Sequence, residues 1–130
     1  NPEHTRSLLG ALQEKGVRVA LDDFGTGFSN LERLQEIDVD IVKIDRRFVR
    51  GVDGDGADIG ILRALLDMSR DMDFMIIAEG VETQAELDLL HEIGIWNAQG
   101  YFLGRPDTAE VWARRLGLDA DGKAALKAVR

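Results

Sequence analysis

The chain has 130 residues, 45% of them hydrophobic, with 16 Lys and Arg against 24 Asp and Glu for a formal net charge of -8. That is enough apolar material for one core, and the acidic balance opposes binding to polyanions such as DNA or an anionic membrane surface. The absence of cysteine excludes disulfides and thiolate sites, and no signal peptide or apolar run of about 20 residues is present.

In chain order, Asn1 is placed to cap a helix with Pro2 at its first position, Leu8, Leu9 and Leu12 as its apolar stripe and Gly16 just past its end. The apolar run Val17 to Leu21 reads as a strand leading into Asp22-Asp23 and a glycine-rich turn. Adjacent carboxylates at the C-terminal end of a parallel strand lie where open α/β sheets and (β/α)8 barrels bind ligands, and hard oxygen donors of this kind suit Mg2+ or Mn2+. Ser29 with Glu32 has capping-box spacing for a second helix. The β-branched run Val39 to Asp45 carries Lys43 and Asp45 two residues apart, on one face of a strand. Ile59, Leu62, Leu65 and Leu66 form a helical stripe between Asp58 and Arg70. A third strand, Phe74 to Ala78, runs into Glu79-Gly80-Val81-Glu82. Thr83 with Glu86 opens a helix that Gly94 closes, a weaker strand from Ile95 to Ala98 ends in Gln99-Gly100-Tyr101, and Asp107 with Glu110 marks a last helix through Leu116. The expected order is α-β-α-β-α-β-α-β-α, with a short further helix around Ala124 to Val129. Alternation of this kind implies a parallel sheet with right-handed crossovers.

Several tempting motifs fail on inspection. Asp53-Gly54-Asp55-Gly56 and Asp119-Ala120-Asp121-Gly122 start like calcium loops but lack the acid required at the twelfth position, where Ala64 and Arg130 stand. Asp-Phe-Gly occurs at residues 23 to 25, but without the glycine-rich strand loop or catalytic-loop signature of kinases. His4 and His91 read as exposed helix residues, and Asp45 as a salt-bridge partner.

Taken together, Asp22-Asp23-Phe24-Gly25-Thr26-Gly27-Phe28-Ser29, Lys43-Ile44-Asp45, Ala78-Glu79-Gly80-Val81-Glu82-Thr83 and Gln99-Gly100-Tyr101 resemble the EAL domains, bacterial cyclic di-GMP phosphodiesterases built on a modified (β/α)8 barrel. The resemblance implies an α/β chain forming the C-terminal (βα)5-8 half of a TIM-like barrel, with residues 1–116 a partial EAL domain and residues 117–130 a C-terminal helical tail. It implies hydrolysis of cyclic di-GMP to linear pGpG by two-metal catalysis in the intact protein, with Mg2+ or Mn2+ as cofactor. The alternative is a catalytically silent EAL module that acts as a cyclic di-GMP receptor or a protein-interaction module.

Position by position, Asp22 resembles the ligand shared by the two metals, and Asp23 the ligand or water-orienting carboxylate of the second. Lys43 resembles the ammonium beside the attacking water, Glu79 the carboxylate that holds metal-bound water, Glu82 a carboxylate that fixes the neighbouring loop, and Gln99 a group near the nucleophile. The Glu-Ala-Leu signature, an Asn ligand and a Glu-x-x-Glu pair of the family's N-terminal half are not in this sequence, so these 130 residues alone are expected to be inactive. Phe28 stands where the family often has Tyr. Further expectations are a cytoplasmic location, compatible with upstream membrane or sensor regions, and a homodimer formed through barrel edges or the loop after Asp23. No binding to a nucleic acid polymer and no direct membrane contact are expected.

Overall fold

The computed structural model describes residues 2–25, 29–50 and 56–118, with backbone alone for Ser29 and residues 56–58. Its elements are α1 (Pro2–Gln13), β1 (Ala20–Phe24), α2 (Ser29–Glu36), β2 (Ile41–Ile44), α3 (Arg46–Arg50), α4 (Gly56–Met72), β3 (Met75–Ala78), α5 (Gln84–Ile93), β4 (Asn97–Ala98) and α6 (Ala109–Arg115). The four strands form one parallel sheet in the order β1-β2-β3-β4. This is the arrangement expected for one half of a TIM-like barrel. Asn1, Thr26 to Phe28, Asp53 to Asp55 and the expected helix around Ala124 to Val129 lie outside the described residues.

Side chains alternate along the sheet as a parallel ladder requires. Val42, Ile44, Ile76 and Ala78 are buried and share a core with Leu34 of α2, Val49 of α3, Leu62 and Leu65 of α4 and Leu90 of α5. On the opposite face Ile41 pairs in register with Met75, and Lys43 with Ile77 and through it Asn97, all of them exposed or half-buried. Among the described residues, one sheet face is therefore covered by helices and the other is open. Lys43 stands on the open face.

Several element boundaries differ from the sequence-based expectation, β2 being trimmed to Ile41–Ile44 and β3 starting at Met75. β1 starts at Ala20 rather than Val17, because the turn after α1 closes at Gly16, φ 83, and the Val17 N–H returns to the Leu12 carbonyl at 3.1 Å, which commits Val17 to the helix stop. β4 is shortened in the same way, since the Ile95 N–H bonds the Leu90 carbonyl at 2.8 Å. The cap of α6 is Thr108, whose hydroxyl accepts from the Val111 N–H, while the Asp107 carboxylate accepts from the Thr108 N–H. The short helix α3 is an addition, nucleated where the Asp45 carboxylate accepts the Arg47 N–H at 3.0 Å. Thr83 and Glu86 form the full reciprocal capping box expected for α5, and Gly94 closes it in the left-handed conformation.

Helix α1 has no buried residue and is tied to the rest of the chain by polar contacts. The Arg6 guanidinium donates to the Glu36 carbonyl at 2.7 Å, and the Gln13 amide donates to the Asp38 carbonyl and the Asp40 carboxylate. Asp40 also accepts from the Val19 N–H. The Gln13 amide, then the Val19 N–H, holds the Asp40 carboxyl below the usual carboxylate range.

Candidate metal centre

The acid-bearing end of β1 is not a regular strand. Leu21 pairs with Val42 and Phe24 with Ile44, so two residues of β1, Asp22 and Asp23, face the single residue Lys43 of β2. This is a β-bulge, and Asp23 takes up the extra residue at φ 53 in the left-handed region. The bulge keeps both flanking apolar side chains, Leu21 and Phe24, against the core. It leaves both intervening carboxylates exposed, whereas an unbroken strand would send one of them into the core. The sequence carried a signal for this: apolar residues three apart within a strand cannot share a face unless one residue is added.

Glu79 continues β3 beyond Ala78, its N–H bonded to the Ile44 carbonyl at 3.0 Å. Carboxylate oxygens of Asp22, Asp23 and Glu79 lie within 4.8 Å of one another. Lys43 Nζ sits 2.8 Å from Glu79 Oε1, and both side chains are about one-fifth exposed, at 24% and 19%. The hydrogen bond to Glu79 raises the Lys43 pKa above its ordinary value, with further help from the charges of Asp22 and Asp23, so the side chain is an ammonium at neutral pH. Three carboxylates and one ammonium leave the cluster with a formal charge of -2. Hard, convergent oxygen donors form a donor set suited to a hard divalent cation.

Two further candidates lie near this cluster without joining it. Glu82 accepts a bond from Arg50 Nη2 at 2.7 Å and lies 4.0 Å from Arg46 Nη1, so it ties its loop to α3. Its N–H donates to the Glu86 carboxylate. Gln99 is held by its backbone: its N–H donates to the Ala78 carbonyl at 2.8 Å and its carbonyl accepts from the Val81 N–H at 3.1 Å. Its side chain is exposed. Gly100 then runs so close to Val81 that a Cβ there would strike the Val81 backbone. Beside these residues, Glu82, Tyr101, Phe102 and Arg105 line a shallow cavity of about 510 Å³, with the Arg105 guanidinium 4.6 Å from the Tyr101 ring centre. Asp45 bonds Arg47 as an ion pair at 2.9 Å, in line with its expected structural role. His91 stacks on Trp96 at 4.7 Å between ring centres.

The EAL domain profile matches residues 1–106. Over 106 residues the chain is 41% identical to the Escherichia coli K12 protein named "Probable cyclic di-GMP phosphodiesterase PdeA", a match covering 82% of this chain and 14% of that protein. The crystal structure of the EAL domain of Mycobacterium smegmatis DcpA superposes with a TM-score of 0.83 at 37% identity, covering 95% of this chain and 54% of that one. A Klebsiella pneumoniae BlrP1 structure, a manganese and cyclic di-GMP complex, superposes with a TM-score of 0.72 at 35% identity, over 78% of this chain and 26% of that one. The chain thus spans about half of the DcpA domain and a small part of the longer relatives. With a profile match over most of its residues and a 41% identical relative aligned along 82% of it, the chain belongs to the EAL domain family.

Proposed function

We propose that this chain supplies part of the metal and phosphate site of a cyclic di-GMP phosphodiesterase, which hydrolyses one phosphodiester to give linear pGpG. The observation that carries the reading is the convergence of Asp22, Asp23 and Glu79 within 4.8 Å beside the Lys43 ammonium. Relatives named for cyclic di-GMP hydrolysis, and a related structure holding manganese with the dinucleotide, support the substrate and cofactor class. Bound divalent cations, Mg2+ or Mn2+, would neutralise phosphate charge and lower the pKa of water.

The chain's own residues have distinct tasks in this reading. Asp22 and Asp23 supply ligand oxygens, and Glu79 accepts hydrogen bonds from water beside them. Lys43 is held on Glu79 and presents positive charge to the phosphate and the nucleophile. Glu82 acts through loop position, fixed to Arg50, and Gln99 orients groups beside the nucleophile. The chain spans about half of the related EAL domain structure, and in this reading the other half supplies further ligands, so that this chain alone does not turn over. As edge strands, β1 and β4 are also the places where a second copy would pair, and light scattering at high dilution that finds only a monomer would refute that dimer.

The test is calorimetric titration of cyclic di-GMP in the presence of Ca2+, then Mn2+, for the wild type and Asp22→Asn. Metal-dependent binding that disappears in the variant supports the reading. Binding that is indifferent to both metal and Asp22 sinks it.

A further inference from the structure

Helix α3 enters the roles assigned above only through Arg50, yet it touches more than one of the loops that carry the acids. Val49 is its core anchor, fully buried. On either side of Val49 the contacts go to the site. Arg50 holds Glu82, the Arg46 side chain covers Gly80, and the Phe48 ring lies directly on Gly25, where a Cβ would fall inside the ring. Gly25 has φ +100 and sits two residues after Asp23, so the ring bears on backbone that only glycine offers.

We propose that Phe48 is a positioning residue for the metal centre: its ring pins the end of β1 at Gly25 and thereby keeps the Asp22-Asp23 bulge turned towards Glu79. The proposal rests on the metal-site reading and deepens it. A bulge with a left-handed Asp persists only where its surroundings hold it. The bonds that tie this segment to its neighbours are long, 3.3 Å for both the Asp45 N–H to the Phe24 carbonyl and the Asn30 side-chain amide to the Asp23 carbonyl, while the Asp23 N–H turns back to the Asp22 carboxylate at 2.8 Å. Phe48 adds a stiff apolar stop. Its own place is set by the turn that starts α3, in which the Phe48 N–H bonds the Asp45 carbonyl at 3.1 Å and Arg47 caps onto the Asp45 carboxylate. Asp45 leaves the end of β2, the strand that carries Lys43, so the ring relates the acids of β1 to the ammonium of β2.

The test is Mn2+ affinity by calorimetry on the full chain, with thermal melting alongside, for wild type, Phe48→Ala, Phe48→Leu and Leu65→Ala, the last a buried core residue of α4. Phe48→Ala is expected to weaken Mn2+ by about 10-fold or more, the range found when groups that orient metal ligands are removed, and Phe48→Leu to recover much of that loss. Leu65→Ala opens a core cavity and lowers the melting temperature at least as far, yet holds Mn2+ affinity within about twofold of wild type. Wild-type affinity in Phe48→Ala, or equal weakening in Leu65→Ala, overturns the clamp. If Phe48→Ala fails to fold, Phe48→Val decides: its side chain is too short to replace the ring on Gly25, so Mn2+ binding should weaken, and unchanged affinity there overturns the clamp. A wild type that binds no Mn2+ removes the metal-site reading itself and the clamp with it.

Discussion

Asp23→Asn separates charge from geometry at the bulge, because Asn tolerates the left-handed backbone that Asp23 adopts at φ 53. Two unit charges 4.8 Å apart in water repel by about 0.9 kcal/mol, and salt at about 0.15 M reduces this to about 0.5 kcal/mol. Asp23 faces two such partners, Asp22 and Glu79, and the attraction to Lys43 offsets part of their repulsion, which makes the sum an upper bound. The metal-free variant is therefore expected to be as stable as the wild type or more so, by up to about 1 kcal/mol or roughly 4 °C. Cation binding reverses the order. At a concentration 100 times its dissociation constant, Mn2+ stabilises the wild type by about 2.7 kcal/mol, whereas a variant with 10- to 100-fold weaker binding gains only about 0.4–1.4 kcal/mol. Thermal melting of both proteins with and without MnCl2 makes the comparison, and the two pairs of curves should cross. A variant that melts well below wild type without metal, or that keeps the full metal-induced shift, refutes the account of the cluster as repelling ligands.

Gly100→Ala forces a Cβ against the Val81 backbone and should cost about 1–3 kcal/mol, with a matching fall in melting temperature. Unchanged melting would show that the contact between the β3 and β4 loops is dispensable. Glu82→Gln removes the charged partner of Arg50 at an exposed site, so Mn2+ affinity should fall far less than in Asp22→Asn. Equal losses would place Glu82 among the ligands. The pH response follows from three shifted groups: Asp40 and Asp45, lowered by their bonds to Gln13 and to the Arg47 N–H, and Lys43, raised by Glu79. The two Asp contributions are present above a pKa of 3.8 and fade as pH falls through the depressed values, while that of Lys43 is complete below 10.5 and fades only above it. Amide exchange in α1 should therefore accelerate first on the acid side. Asp40→Asn at neutral pH should reproduce much of that effect, and an α1 indifferent to both would contradict its attachment through Asp40.

Much of the fold was legible because it rests on local rules. The apolar stripes of α1 and α4, the Thr83 to Glu86 box, the glycine stops at Gly16 and Gly94 and the β-branched run of β2 each declare an element without reference to distant residues. Elements whose ends are set by tertiary contacts were read less well. Val17 and Ile95 look like strand residues by type, but their N–H groups close the preceding helices. Helix α3 escaped notice because Arg46–Arg50 is one turn long and holds its shape through Val49, Arg50 and Glu82. In the same way, the pairing of Asp22, Asp23, Lys43 and Glu79 could be expected from strand-end positions, and the structure brings all four together. Pattern alone put Asp22 and Asp23 beyond the strand, whereas they are its irregular part.

The bulge sets fold quality and chemical capacity against each other. With Asp23 deleted, Leu21, Asp22 and Phe24 would alternate as an ordinary strand, and the register with Val42, Lys43 and Ile44 would close without interruption. Loss of a single codon would thus mend the sheet and relieve its one left-handed aspartate in β1, leaving a better-ordered strand that offers one carboxylate where two had stood.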